Sequence, residues 1–333
     1  MMNRIVLIGS VSSTLATLQK LVEHELNLVS VFGFEPENPE KISSFVNLKD
    51  HLRNTGIPYH PCVNINDKEC VKTLQEIQPD IIFVIGLSQL IKKEILDIPI
   101  KGTVGFHPTA LPRGRGRAPI AWMILNEKEG AANFFLMGEG MDDGPILASA
   151  PFKIDQLDNA SSLEKKIISG IYAALDEWLP KLKRGEWAYS PQDDNLAYYY
   201  GRRAPLDGWI DWSKPAAEIE RLVRAATRPH PGAFSFYSDY KVIVWDAKIS
   251  TIENMQGVTG RILLIQQDSL TIQTGEGLLE ILEYEILDHQ NKLALNVTPV
   301  VGSRFGYYNE QEIFRIRNEI KEIKRILKSR NIE

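Results

Sequence analysis

Along the first 110 positions, apolar residues fall in short, nearly unbroken runs separated by amphipathic stretches. Residues 4–9, RIVLIG, read as a strand buried on both faces of a parallel sheet. Ser12, Ser13 and Thr14 can cap a following helix whose apolar positions Leu15, Leu18, Leu21 and Val22 share one face. Residues 28–34, LVSVFGF, predict a second strand and residues 44–54 a second helix. Residues 68–77 predict a third helix, leading into the strongest strand, DIIFVIG, at 80–86. This βαβ rhythm implies a doubly wound α/β domain, with its ligand site at the carboxyl ends of the strands.

Between 180 and 207 the pattern dissolves into polar and aromatic residues with prolines at 180, 191 and 205, as in a linker. Beyond it, a helix near 216–226 precedes the short runs FSFYS, YKVIVWDA, GRILLIQ, SLTIQT and LLEILEYEIL, separated by Gly, Asp and Asn. That spacing reads as a small β-barrel or sandwich. In the tail, Ile313, Ile316, Ile320, Ile323 and Leu327 step by 3, 4, 3 and 4, an a/d seam on a charged helix. The seam covers about two heptads, so packing on its own domain is expected, with a coiled-coil homodimer as the alternative. The predicted organisation is a domain over 1–190, a linker over 191–206, a β domain over 207–305 and a helix over 306–333.

A length of 333 residues agrees with two domains, and 44% hydrophobic with 24% charged residues is ordinary globular usage. The formal net charge of −5 excludes a strongly basic whole-protein field for nucleic acid. Two cysteines, Cys62 and Cys70, are too few for a disulfide scaffold. The first apolar run is too short for a signal segment or a membrane span. A cytoplasmic protein without a membrane partner is expected.

The chemistry concentrates in residues 105–146, GFHPTALPRGRGRAPIAWMILNEKEGAANFFLMGEGMDDGPI. His107 follows a strand, where α/β sheets bind ligands. Arg113, Arg115 and Arg117 lie in a glycine-rich loop flanked by prolines and can offer guanidinium groups to an anion. A turn then brings Asp142 and Asp143 before Gly144. Imidazole and carboxylate together suggest acid–base work. No Ser or Cys stands in an elbow-like context, and no further His or Cys sits at ligand spacing, so a covalent nucleophile and a metal are not expected. The first strand is followed by GSVSS instead of G-x-G-x-x-G, which argues against a dinucleotide enzyme. Singly, a His-Pro after a strand and a DDG turn are ordinary turn features.

In order, they resemble the folate-dependent formyltransferases: His107, Leu111-Pro112, Arg115-Gly116-Arg117-Ala118-Pro119 and Met141-Asp142-Asp143-Gly144 match that family's motifs. RRAPLDGWIDWSKPAAEIERLVRAATRPHPGAFSF, from 202, is similar to the start of the OB-like domain of methionyl-tRNA and sugar N-formyltransferases. The resemblance implies a Rossmann-like catalytic domain followed by an OB-like barrel. It implies N10-formyltetrahydrofolate as donor, no metal, and a primary amine that attacks the formyl carbon directly. His107 would then stabilise the oxyanion and Asp142 would orient it and help take the amine proton. The pterin would lie against Ile85, Gly86 and Leu87 on one side and Leu136, Gly138 and Gly140 on the other, with Asp143 nearby. One residue departs from the pattern: Gly105 stands where the family has Asn, an amide that helps hold the formyl oxygen. Asn133 on the facing strand could substitute, although a structural role is the stronger reading of it, or backbone N–H groups at Gly105 could; otherwise the chain is a weak enzyme or a folate-binding relic.

Two acceptors are open, initiator methionyl-tRNA and a nucleotide-linked amino sugar. The tRNA enzymes carry a basic loop after the second strand. Here residues 34–56 hold Lys41, Lys49 and Arg53 against Glu35, Glu37, Glu40 and Asp50, which offers little to an RNA backbone. The R-G-R-A-P run also looks like the sugar enzymes. Thr109, Arg113, Arg115, Arg117, Arg202 and Arg203 are therefore expected to serve a nucleotide diphosphate, with solvated linker charges as the other reading of Arg202 and Arg203. Tyr198, Tyr199 and Tyr200 could stack on a base, although such a cluster is more often packing. The sugar is the favoured acceptor and tRNA the alternative.

Overall fold

The computed structural model describes residues 3–126, 129–306 and 309–329. The chain divides into two compact units: the first runs to Ala204 and takes in Arg224–Pro231, and the second comprises Pro205–Val223 and everything from Gly232.

In the first unit the elements are β1 (Ile5–Ile8), α1 (Ser12–Glu23), β2 (Leu28–Phe34), α2 (Leu48–Leu52), β3 (Tyr59–Cys62), α3 (Lys68–Ile77), β4 (Ile81–Val84) and α4 (Lys93–Leu96). There follow β5 (Gly102–Thr109), β6 (Arg115–Gly116), α5 (Pro119–Asn126), β7 (Glu129–Leu136), β8 (Ile146–Lys153), α6 (Ala160–Lys183) and β9 (Tyr199–Tyr200). Seven strands form one sheet in the order β3-β2-β1-β4-β5-β7-β8, parallel from β3 to β5 and antiparallel from β5 to β8. Alternate residues of the buried strands face opposite layers. Ile5, Leu7, Ile81 and Phe83 join the core under α1 and α6, whereas Val6, Ile8, Ile82 and Val84 pack with Val71 and Leu74 of α3 and Ile95 of α4.

Residues 146–183 carry no element in the sequence reading, yet form β8 and the 24-residue α6. Its signals are local: Asn159 accepts from Ser162 N at 2.9 Å while the Ser162 hydroxyl accepts from Asn159 N at 3.0 Å, a capping box. Leu163, Ile167, Ile171, Leu175, Trp178 and Leu182 then line one buried face. The second helix is shorter than 44–54, because Ser44 takes a left-handed φ of 59° and Asn47 caps the helix from Lys49 N. β3, YHPC, was also not anticipated; its proline is tolerated because the strand lies at the sheet edge.

In the second unit, helix α7 (Ala216–Ala226, its last residues counted with the first unit) precedes β10 (Ala233–Tyr237), β11 (Tyr240–Ile249), β12 (Ile262–Gln266), β13 (Ser269–Gln273) and β14 (Leu278–Leu287). These form an antiparallel sheet in the order β10-β11-β14-β13-β12. Residues 304–306 tie its two edges: Phe305 N donates to Gly260 O before β12, and Gly306 N to Phe236 O of β10, both at 2.8 Å. Phe305 is fully buried between Trp212 and Tyr237. Helix α8 (Asn309–Ser329) follows, and the expected ends of that helix at 307–308 and 330–333 lie outside the described residues. The expectation that its seam packs on its own domain is corrected, since the five seam residues are 37–55% exposed.

The stretch from 191 is not a free linker. β9 pairs in parallel with β6, and Gln192 and Asp194 bond to the buried Arg115, so it is part of the first unit.

Candidate active site

His107 and Thr109 are the last side chains of β5, beside the end of β4 and paired with β7. His107 is 4% exposed. Its Nε2 lies 2.9 Å from Gly114 O, and a carbonyl only accepts, so that bond assigns the hydrogen to Nε2. Nδ1 is the other ring nitrogen, and it faces Asp142 Oδ2 at 3.4 Å. The same oxygen accepts from Gly116 N at 2.8 Å, so the arginine loop and the Asp142 turn meet over the imidazole.

Asp142 owes its position to a tightly closed loop. It takes a left-handed φ of 53°, and a Cβ at Gly144 would lie 1.6 Å from Leu136 O. Leu136 N donates to Pro145 O at 3.0 Å and Met137 N to Thr103 O at 2.8 Å, which close the loop on β5. From the other side, Gln192 Nε2 donates to Asp142 O at 2.9 Å and Gly144 O at 2.7 Å. Gln192 Oε1 in turn accepts from Arg115 Nε and Nη2 at 3.2 and 3.0 Å.

This last contact changes the role expected for Arg115. Its side chain is 2% exposed, and its guanidinium also donates to Asp194 at 2.7 Å and to the Tyr199 hydroxyl at 3.0 Å. It holds protein groups and has no face left for a ligand anion. Arg113 bonds Glu129 at 2.5 Å, away from His107, and Thr109 is buried with its hydroxyl unpartnered. Arg117 and Arg202 have exposed side chains that make no ion pair among the described residues. Arg203 lies 5.1 Å over Trp122, whose other neighbour Tyr200 stacks at 5.3 Å with 6° between the rings. Tyr198 meets Tyr200 edge-on, and Tyr199 covers Arg115, so the three tyrosines serve different partners.

Asn133 is corrected as a substitute donor. It is 1% exposed, and its Nδ2 is within bonding distance of three carbonyls, His107 O at 3.1 Å, Thr109 O at 2.5 Å and Ala131 O at 2.9 Å. Its Oδ1 accepts from Ser149. Both amide hydrogens therefore stay in the sheet. Gly105 is buried, and a Cβ there would lie 2.8 Å from Met137 Cγ and from Phe135 Cζ.

Ile85, Gly86 and Leu87 leave β4 beside this point. Gly86 has a φ of 65°, and Thr14 Oγ1 donates to Ile85 O at 2.6 Å, which locks the turn to α1. Leu87 and Met137 pack on the same core cluster, so the two strand-end loops flank β5 together. Gly138 and Gly140 are exposed, and the Asp143 carboxylate folds over Gly140, where a Cβ would meet it at 1.8 Å. Gln192 and Asp194 were not foreseen as site residues; nothing in the sequence places them opposite residues 115 and 142. No group of His, Cys, Asp and Glu suited to a metal occurs among the described residues.

A buried imidazole facing a carboxylate lies here at the strand ends of a doubly wound sheet, where such sheets bind ligands, and the pair can move a proton. Residues 4–176 match the formyl transferase family and 204–295 match the formyl transferase C-terminal domain. The chain belongs to the formyl transferase family.

Among solved structures it is similar to an N-formyltransferase from Helicobacter canadensis in complex with folinic acid and dTDP-3-aminofucose. The identity is 17%, over 85% of this chain and 100% of that one, with a TM-score of 0.64. A methionyl-tRNA formyltransferase from Clostridium thermocellum is 18% identical over 86% and 99%, at 0.55. HypX from Aquifex aeolicus in complex with tetrahydrofolic acid is 18% identical over 92% of this chain at 0.62, and the chain spans about half, 51%, of that protein. At these identities the likeness is one of fold. No helix among the described residues is long and apolar enough to cross a membrane.

Proposed function

We propose that the chain transfers the formyl group of N10-formyltetrahydrofolate to the primary amine of a nucleotide-linked amino sugar. The observation that carries this is the His107–Asp142 pair, held at the end of β5 by Gly114 O and Gly116 N. Gly86, Gly138 and Gly140 are exposed beside it, which fits an edge-on pterin, and folate ligands occupy structures of similar fold. The amine nitrogen attacks the formyl carbon, forming the new C–N bond and placing negative charge on the formyl oxygen. Protonated Nδ1 of His107 supplies the N–H that meets this charge. Asp142 Oδ2 takes a proton from the amine; the C=O bond then re-forms, the C–N10 bond breaks, and N10 takes up the proton held by Asp142 and leaves as tetrahydrofolate. Gly105 contributes no side chain, so His107 bears more of the oxyanion stabilisation here.

For the acceptor, the nearly balanced charge of residues 34–56 disfavours RNA. The exposed Arg117 and Arg202 and the Trp122–Tyr200–Arg203 stack fit a nucleotide diphosphate.

The test is release of tetrahydrofolate from N10-formyltetrahydrofolate, with a panel of UDP- and dTDP-linked amino sugars and with charged initiator methionyl-tRNA. Turnover on one sugar is expected, and His107→Ala should lower it by about 10²–10⁴-fold. Turnover with tRNA alone would replace the acceptor and keep the chemistry. Folate binding without turnover on any acceptor would make the chain a folate-binding relic.

A further inference from the structure

Helix α8 presents an apolar stripe to solvent. Ile313, Ile316, Ile320, Ile323 and Leu327 are 48, 48, 45, 55 and 37% exposed, and they occupy successive a, d, a, d and a positions. Arg315, on another face, bonds Asp239 of the β10–β11 turn at 2.7 Å, which anchors the base of the helix and leaves the stripe open.

The charges beside the stripe say what covers it. Glu319 falls at a g position, and Arg317 and Lys324 at e positions. In a parallel pair each g residue faces the e residue five positions further along its neighbour, so Glu319 would meet Lys324. In an antiparallel pair g meets g and e meets e, which brings like charges together. The pattern therefore matches the same helix of another copy, parallel and in register. An anionic membrane fits less well, because Glu319 borders the apolar stripe.

We propose that copies of this chain assemble through α8 as a parallel coiled coil. Isoleucine at both a and d favours more than two strands, so a trimer is expected. The inference is independent of the formyl acceptor and of turnover.

The test uses the full chain and its mass in solution by light scattering and sedimentation equilibrium. Wild type should be oligomeric and Ile320→Asp monomeric with an unchanged melting temperature, since Ile320 is 45% exposed. Glu319→Lys should raise the dissociation constant roughly tenfold, and Glu319→Lys with Lys324→Glu should restore it, as expected for ion pairs of this kind. Ile323→Cys should cross-link to itself between copies under mild oxidation when wild type does not. A dimer that Ile320→Asp dissociates also supports the proposal. A monomeric wild type, whether or not it sediments with anionic phospholipid vesicles, would overturn it. So would an oligomer indifferent to Ile320→Asp, or an Ile323→Cys protein that fails to cross-link.

Discussion

At position 105 the absence of a side chain is a packing fact as well as a chemical one. Met137 and Phe135 fill the space a Cβ would need, each at 2.8 Å. Gly105→Asn should therefore lower stability by about 1–3 kcal/mol, as overpacking does, and should not raise turnover. Thermal unfolding and the tetrahydrofolate assay check this together; an unchanged melting temperature with faster turnover would mean that Met137 swings aside and the amide finds the formyl oxygen. At this scale the sequence was informative where function depends on residues close in the chain. His107 and Asp142 could be picked out because each sits in its own short motif. Arg115 could not be read correctly, because its partners Gln192, Asp194 and Tyr199 lie about 80 positions away, and only the fold shows that it is buried. Asn133 admitted both a structural and a donor reading, and its bonds to the β5 carbonyls decide for the structural one.

Among the elements, the loop between β7 and β8 decides whether Asp142 meets His107. Its own hydrogen bonds close the base, but the turn at 142–144 is clamped from outside by Gln192, which Arg115 holds in turn. Gln192→Ala keeps the sheet and removes the clamp. It should lower kcat by up to about 10²-fold while leaving KM for the formyl donor within a few-fold, because misplacing a catalytic group weakens the chemical step more than binding. Steady-state kinetics decide the matter, and a change confined to KM would make Gln192 a binding residue instead. The elements themselves were legible where periodicity is strong. The runs at 28–34, 68–77 and 216–226 have the bounds of β2, α3 and α7. β3 escaped because its proline argues against a strand unless its edge position is known, and that position is a property of the sheet. For α6 the capping box and the buried stripe were present but were overlooked beside the adjoining motifs.

Across the whole molecule, the chain does not finish one unit before starting the next: Arg224–Pro231 returns to the first unit. Its attachment is partly apolar, Ala225 being fully buried in that unit's core, and partly polar. Arg224 Nη1 donates to Asp158 O and Ser161 Oγ to Arg228 O, both at 2.6 Å. His230 Nδ1 bonds Ala225 O at 2.9 Å. Burial pushes the His230 imidazole below its usual pKa, and Arg203 adds to the shift, against the opposing pull of Ala225 O and Glu164. Burial also lowers His60, in β3. Both groups are neutral when folded and bind protons more readily when unfolded. Their contribution is therefore complete above the unfolded value of 6.5 and is lost as pH falls below it, through the lower folded value. Asp158, which burial would raise but Lys166, Asp155 N and Ser162 hold down, loses its contribution only below the ordinary carboxylate value of 3.8, so the two windows separate. Urea unfolding between pH 8 and 5 should show stability falling below about pH 6.5. His230→Gln should flatten that fall without abolishing it, the remainder belonging to His60. A wild-type stability constant to pH 5 would show that neither imidazole is held neutral, and that acid enters the returning segment without cost.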